Sequence, residues 1–182
     1  KPNSQNLQIS MICIPIFQSL LQTHHIHKTS QLCIYLFFFG TYYLMNETFI
    51  TLSINKFLNE NNYQVIQCIP PGGQGSLNYL VKNKFIYPDF ICFKDGEFLI
   101  GENKLTFSEL DQTKLFNLSL EKNLFSDSKR ILKNHQIANN LEILVLKKIT
   151  LFMGFSSRDS KRSSQFNNFL VDEDGTVNIL KN

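Results

Sequence analysis

The four cysteines of this 182-residue chain, Cys13, Cys33, Cys68 and Cys92, form no Cys-x-x-Cys pair. That spacing argues against a zinc ribbon or a disulfide framework and for reduced thiols in a cytoplasmic protein. Long apolar runs are missing too. Cys33 to Met45 gives thirteen mostly apolar residues, interrupted by Gly40 and Thr41, against the roughly 20 that cross a bilayer. No small-residue cleavage site follows the run, so neither a membrane span nor a signal peptide is expected. The glycine-rich stretch Gly72-Gly73-Gln74-Gly75-Ser76 lacks the Gly-Lys-Ser/Thr ending of a phosphate-binding loop, so neither nucleotide binding nor a small-molecule cofactor is expected. Strong net charge is also absent. At +3, attraction to a polyanion has to come from local patches rather than from a globally basic body.

Acidic residues are missing from residues 1–44, which hold three of the four histidines. Ordinary helical patterning opens at Met45-Asn46-Glu47. Residues 1–44 therefore read as a leader or non-native extension outside the core, with Met45 as the natural start. His24, His25 and His27 have no acidic or cysteine partner nearby and do not suggest a metal site. The length suits one core. Residues 45–155 form the expected domain, and residues 156–182 a basic loop followed by a C-terminal hairpin around Asp174-Gly175.

Within that domain Asn46 is a good N-cap, and Ile50, Ile54, Phe57 and Leu58 trace one stripe of a helix with Glu47 inside it and Glu60 on the solvent side. Asn61-Asn62 ends the helix. Tyr63 to Ile69 reads as a strand stopped by Pro70-Pro71, and Leu77 to Ile86 as a short strand and turn. Thr106-Phe107-Ser108-Glu109 fits a capping box, and Leu105 with Leu110 a hydrophobic staple, which starts a second helix there. Its apolar residues Leu110, Leu115, Phe116, Leu118, Leu120 and Leu124 spread around much of its surface. Ser126 to Asn140 stays open between loop and helix. Leu141 to Leu146 and Ile149 to Phe155 have the length of buried strands. The fold class is α/β, with a mixed four- to five-stranded sheet flanked by helices.

The informative stretch is Phe85 to Lys104. Asp95-Gly96 tolerates the positive φ angles of a two-residue type I′ turn. Placing the turn there pairs Lys94 with Glu97, Phe93 with Phe98, Cys92 with Leu99, Ile91 with Ile100, Phe90 with Gly101 and Asp89 with Glu102. Alternation then puts Asp89, Ile91 and Phe93 on one face with Phe98, Ile100, Glu102 and Lys104. Two carboxylates opposed across a strand pair repel. A divalent metal removes the objection, because Mg²⁺ takes one or two protein carboxylates together with waters and a substrate phosphate. The alternative is a solvated cluster of ion pairs.

Pro88-Asp89 and, twelve residues on, Glu102-Asn103-Lys104 resemble the motif of the PD-(D/E)xK nuclease superfamily, over roughly residues 45 to 146. The resemblance implies a restriction-endonuclease-like core and Mg²⁺-dependent hydrolysis of DNA phosphodiesters, with Mn²⁺ as a substitute and a restriction, homing or junction and repair role. It implies Asp89 and Glu102 as metal ligands, Lys104 as the catalytic lysine, and the backbone carbonyl of Asn103 as a further ligand where most relatives carry an apolar residue. Nucleases of this kind often add an acid from their first helix, which would be Glu47. A helix-start Glu favoured by the macrodipole explains that residue equally well. Gln112 and Phe116 resemble a Gln-x-x-x-Tyr element with Phe replacing Tyr. The expected DNA contacts are Gln74 and Ser76 in the glycine-rich loop, Gln112, and Arg158, Lys161 and Arg162 in the basic loop. Because paired cutting needs two sites, a homo-oligomer is expected. The competing reading is a catalytically inactive nuclease-like module that binds DNA or another partner.

Overall fold

The computed structural model describes residues 45–182. The leader reading and the expectations for Cys13, Cys33, His24, His25 and His27 fall outside the described residues. The first helix, α1 (Glu47–Glu60), starts where its chemistry dictates: Asn46 is extended, and its Oδ1 accepts the Phe49 amide at 2.8 Å. Ile50, Ile54 and Leu58 are fully buried, each contributing about 1.5–3 kcal/mol of transfer free energy. Asn61 caps the far end, and Asn62 turns the chain with φ 60.

The strands are β1 (Gln64–Cys68), β2 (Tyr79–Val81), β3 (Lys84–Ile86), β4 (Phe90–Lys94) and β5 (Glu97–Asn103). After two helices, α2 (Glu109–Ser119) and α3 (Leu124–Ala138), come β6 (Lys148–Ser156), β7 (Asn167–Val171) and β8 (Val177–Leu180). Strands β2 and β3 make a separate two-stranded ribbon. Its turn residues Lys82 and Asn83 both have positive φ, 46 and 63, the signature of a type I′ turn. The remaining strands form one mixed sheet in the order β1-β4-β5-β6-β7-β8. Pairing is parallel for β5–β6 and β6–β7 and antiparallel elsewhere.

The α/β class is as expected, but the sheet has six strands rather than four or five. The C-terminal hairpin accounts for the difference: β7 docks beside β6 and carries Phe169 and Val171 into the core. The Phe169 ring stacks on Phe152 with centroids 4.3 Å apart, so the hairpin belongs to the packed body.

Each face of the sheet has its own apolar cluster. Phe90, Cys92, Leu99, Phe152 and Phe169 pack under Ile50, Ile54 and Leu58 of α1. Ile91, Phe93, Phe98 and Ile100 pack on the other side with Leu115 and Leu118 of α2 and Ile131 and Leu132 of α3. A Cβ at Gly154 would come within 2.2 Å of Ile54 Cδ1. The bare backbone there seats α1 directly on β6.

Two local expectations fail. α2 starts two residues later than the capping box at Thr106 implies: Ser108 is the N-cap, its hydroxyl accepting the Asp111 amide at 3.2 Å. Ser108-x-x-Asp111 is a second box overlapping the first, and it prevails while Phe107 packs edge-on against Phe155. The shift leaves Leu110 84% exposed and Phe116 and Leu120 on the surface. Leu141 to Leu146 is not a strand. The amides of Lys147 and Lys148 both donate to Gly96 O, which fixes the start of β6 level with Glu97, and of the preceding run only Leu146 is buried. The open stretch 126–140 is helical through Ala138, within α3, and ends in a turn at Asn139 and Asn140. Among the described residues no helix is long and apolar enough to cross a membrane.

Candidate functional site

The β4–β5 hairpin has the register that Asp95-Gly96 dictates. Phe90 faces Gly101, Ile91 faces Ile100, and Lys94 faces Glu97. The turn residues have φ 52 and 91. Continued one step past the ladder, the same register brings Asp89 opposite Glu102. Both are sheltered: Glu102 is 2% exposed, and Asp89 is half-buried.

The two acids differ in how they are held. Asp89 Oδ2 accepts the Asn103 backbone amide at 2.9 Å and the Asn103 side-chain amide at 2.8 Å. Burial raises the Asp89 pKa, and those two bonds, followed by Lys114 and Lys104, oppose the rise. Glu102 Oε1 lies 2.6 Å from Lys114 Nζ but meets no donor in hydrogen-bonding geometry. Burial first, and then the Asp89 charge, push Glu102 up to about 8 despite Lys114.

Lys104 follows β5 directly, and its amide still donates to Gly154 O at 2.9 Å. Rather than meeting Glu102, its ammonium reaches across to Glu47 Oε1 on α1 at 2.8 Å. That bond, more than the neighbouring charges of Glu47, Asp89 and Asp111, raises the Lys104 pKa. Glu47 thus reaches the cluster through Lys104. Thr51, one turn along α1, has its hydroxyl 2.8 Å from Glu47 O and 2.5 Å from Asn103 Oδ1. The Asn103 side chain therefore spans the interval between α1 and Asp89.

Sequence reasoning did not find Lys114, Thr51 or Gln67. The Lys114 ammonium contacts Glu102 and also donates to Tyr87 O at 2.9 Å. Gln67 on β1 donates from Nε2 to Pro88 O at 2.8 Å, and its Oε1 accepts the amides of Ser76 and Leu77 at 3.2 and 2.9 Å. It ties the glycine-rich loop to the residue before Asp89. The one available signal for it was a glutamine inside an otherwise apolar strand.

Gln74 is exposed and lines a cleft of about 380 Å³ with Gly73, Gly75, Tyr87 and Asp89. Ser76 is exposed, with its amide taken up by Gln67. Gln112 is half-buried on α2 beside Asp111. The basic loop has partners within the protein. Arg158 pairs with Glu173, Lys161 lies 3.1 Å from Glu109, and Arg162 donates to the carbonyls of Asp159, Lys161 and Ser157 while lying over the Phe155 ring. Glu47, Asp89, Glu102, Asn103, Lys104 and Gln74 come together, whereas Arg162 braces its own loop and Arg158 and Lys161 tie that loop to Glu173 and to Glu109 at the start of α2.

Among the described residues no group of three or more His, Cys, Asp or Glu side chains is arranged to hold a metal ion. The pair Asp89 and Glu102 still suits Mg²⁺, which needs only one or two protein carboxylates; at Glu102 Oε1 the ion would take the place that the Lys114 ammonium holds at 2.6 Å. The thiols of Cys68 and Cys92 are unpaired. Burial pushes Cys68 up to about 11 and Cys92 higher still, which makes them poor nucleophiles. Comparison with family models, with curated proteins and with solved structures finds no match to this chain.

Proposed function

We propose that this protein is a Mg²⁺-dependent DNA endonuclease of the PD-(D/E)xK kind, built on a restriction-endonuclease-like core. The observation that carries the reading is the convergence of Asp89 and Glu102 at the open end of one hairpin, one acid braced by Asn103 and the other buried beside the Lys114 ammonium. The succession of helix, hairpin, helix and parallel strand agrees with such a core. In this reading Asp89 and Glu102 hold the metal, with the Asn103 carbonyl beside them, and Mn²⁺ substitutes. The bound ion would supply a more acidic water and polarise the scissile phosphate.

The chain's own residues define the remaining roles. The raised pKa of Lys104 keeps it an ammonium over the working pH range. In that form it neutralises charge that builds on the phosphate oxygens. Glu47 orients that ammonium through the 2.8 Å contact. Thr51 and Asn103 fix the Asp89 carboxylate through its Oδ2 atom.

A second reading, a nuclease-like module that binds DNA without cutting it, draws on the same asparagine, whose two bonds occupy Asp89 Oδ2. One experiment separates the two. Plasmid, linear and branched DNA are incubated with Mg²⁺, with Mn²⁺ and with chelator. Cleavage should require metal and fall by orders of magnitude in Asp89→Ala and Lys104→Ala. Activity unchanged in both variants rejects the assignment, and salt-dependent binding without cleavage by the wild type favours the module.

A further inference from the structure

The β2–β3 ribbon and α2 enclose a second cleft, about 580 Å³ in volume, whose walls include Lys82, Lys84, Phe85, Tyr87, Leu110 and Lys114. Its apolar surface is unusually open. Phe85 is 63% exposed, Tyr87 41% and Leu110 84%. Contiguous exposed apolar surface of this kind marks an interaction site. Its polar walls are of one sign, with no carboxylate lining it. Lys82 rests on Asn117 Oδ1 at 2.8 Å, and neither Lys82 nor Lys84 is in an ion pair among the described residues. Two aromatic rings with three ammonium groups around them suit a ligand with flat apolar faces and repeated negative charge.

The cleft also neighbours the acidic pair. Tyr87 lines both it and the cleft that holds Asp89, and Lys114 lines it while touching Glu102. We propose that this cleft binds single-stranded DNA, stacking an unpaired base on Phe85 or Tyr87 and leading that strand to Asp89 and Glu102. Duplex DNA buries the faces of its bases in its own stack, so exposed rings gain nothing from it, whereas an unpaired base stacks on any aromatic face. Lys82 and Lys84 then meet the flanking phosphates. A second copy of the chain fits less well, since it would bury like-charged lysines against each other. The delivery of the strand to the carboxylates rests on the nuclease reading; the binding does not.

The test is fluorescence anisotropy of a labelled oligothymidylate and of a matched duplex, in chelator and low salt, with cleavage of the same strands in Mg²⁺ run in parallel. The single strand should bind more tightly than the duplex. Phe85→Ala should weaken it about tenfold, within the range of alanine substitutions at base-stacking residues. Lys84→Ala should lower the salt dependence of binding. Ile143→Ala, which removes an equally exposed side chain (62%) from the segment before β6, controls for general loss of apolar surface and should change nothing. Melting curves check that each variant is folded, and Tyr87→Ala serves in place of Phe85→Ala if that variant is not. Equal affinity for both strands, no loss in Phe85→Ala and Tyr87→Ala, or a patch that proves only to join two copies by light scattering, overturns the proposal. Tight single-strand binding with no cleavage keeps the cleft and sinks the nuclease reading. Cleavage with no single-strand preference does the reverse.

Discussion

The β4–β5 hairpin carries a carboxylate at each end of β5, and the two behave in opposite ways. At the turn end, Glu97 accepts from the Thr150 hydroxyl and lies 3.2 Å from Lys148, with its side chain 32% exposed. Burial pushes its pKa up, but the Thr150 and Lys148 contacts outweigh that and hold it below the usual carboxylate range. At the open end, Glu102 also has a lysine beside it, at 2.6 Å, yet it is raised to about 8. A nearby cation is common to both ends. Complete burial and a second acid, Asp89, occur only at the open end, and they decide the sign. The open end is strained in a way that a cation would relieve.

The largest effect that would sharpen this contrast is on catalysis. Removing the Lys104 ammonium should lower the rate of Mg²⁺-dependent cleavage about 100- to 1,000-fold, the usual loss when one group that stabilises transition-state charge is deleted. Lys148→Ala, at the turn end, should leave the rate alone. Single-turnover cleavage of one substrate by both variants measures it. Equal rates would mean that the two ends do not differ in function.

A smaller effect, on stability, follows from protons. Because the folded pKa of Glu102, about 8, exceeds the unfolded value of 4.5, the native state holds a proton that the unfolded chain has lost between those pH values. Stability from this group is therefore fully present below about pH 4.5 and falls as pH rises to about 8, with a slope of up to about 1.4 kcal/mol per pH unit for one proton. If the pair holds Mg²⁺ as proposed, the ion would bind the ionised form, and the melting temperature should rise more with Mg²⁺ at pH 8.5 than at pH 6. Glu102→Gln should flatten the slope, abolish most of the Mg²⁺ response and be at least as stable as wild type without metal at alkaline pH. A Glu102→Gln protein that keeps both the slope and the Mg²⁺ response would show that the strain lies elsewhere.

The open end was legible in the sequence because its geometry is local. Asp95-Gly96 admits one two-residue turn, and strand alternation then carries Asp89 and Glu102 to the same place without reference to the rest of the chain. Asn46 and the Ile50, Ile54, Leu58 stripe fixed α1 in the same way. Lys114 was not legible, since its approach to Glu102 depends on the phase of α2, and two overlapping capping boxes, from Thr106 and from Ser108, differ by two residues in that phase. Gln67 and the sixth strand depend on contacts between segments far apart in sequence. The apolar run Leu141 to Leu146 has strand composition, but the pairing of Lys147 and Lys148 with Gly96 O leaves it outside the ladder. Residue patterns tell which face a side chain takes, while tertiary contacts decide which segments find a partner.

The smallest effect concerns the turn end alone. Glu97 is ion-paired and partly solvated, so its pairing with Lys148 is screened and contributes at most about 1 kcal/mol. Its pKa is depressed in the folded state, so its stabilisation is present above about pH 4.5 and is lost as pH falls through the lowered value. Glu97→Gln should accordingly lower stability slightly at neutral pH, by less than about 1 kcal/mol, and by nothing in strong acid. Its pH dependence runs opposite to that of Glu102, whose removal matters most in alkali. Urea titrations of the two variants at pH 3, 6 and 9 would show the crossing. If the stability change caused by Glu97→Gln instead followed that of Glu102→Gln, turning towards a gain as pH rises to 9, the two carboxylates would share one environment, and burial could not be what separates the two ends of β5.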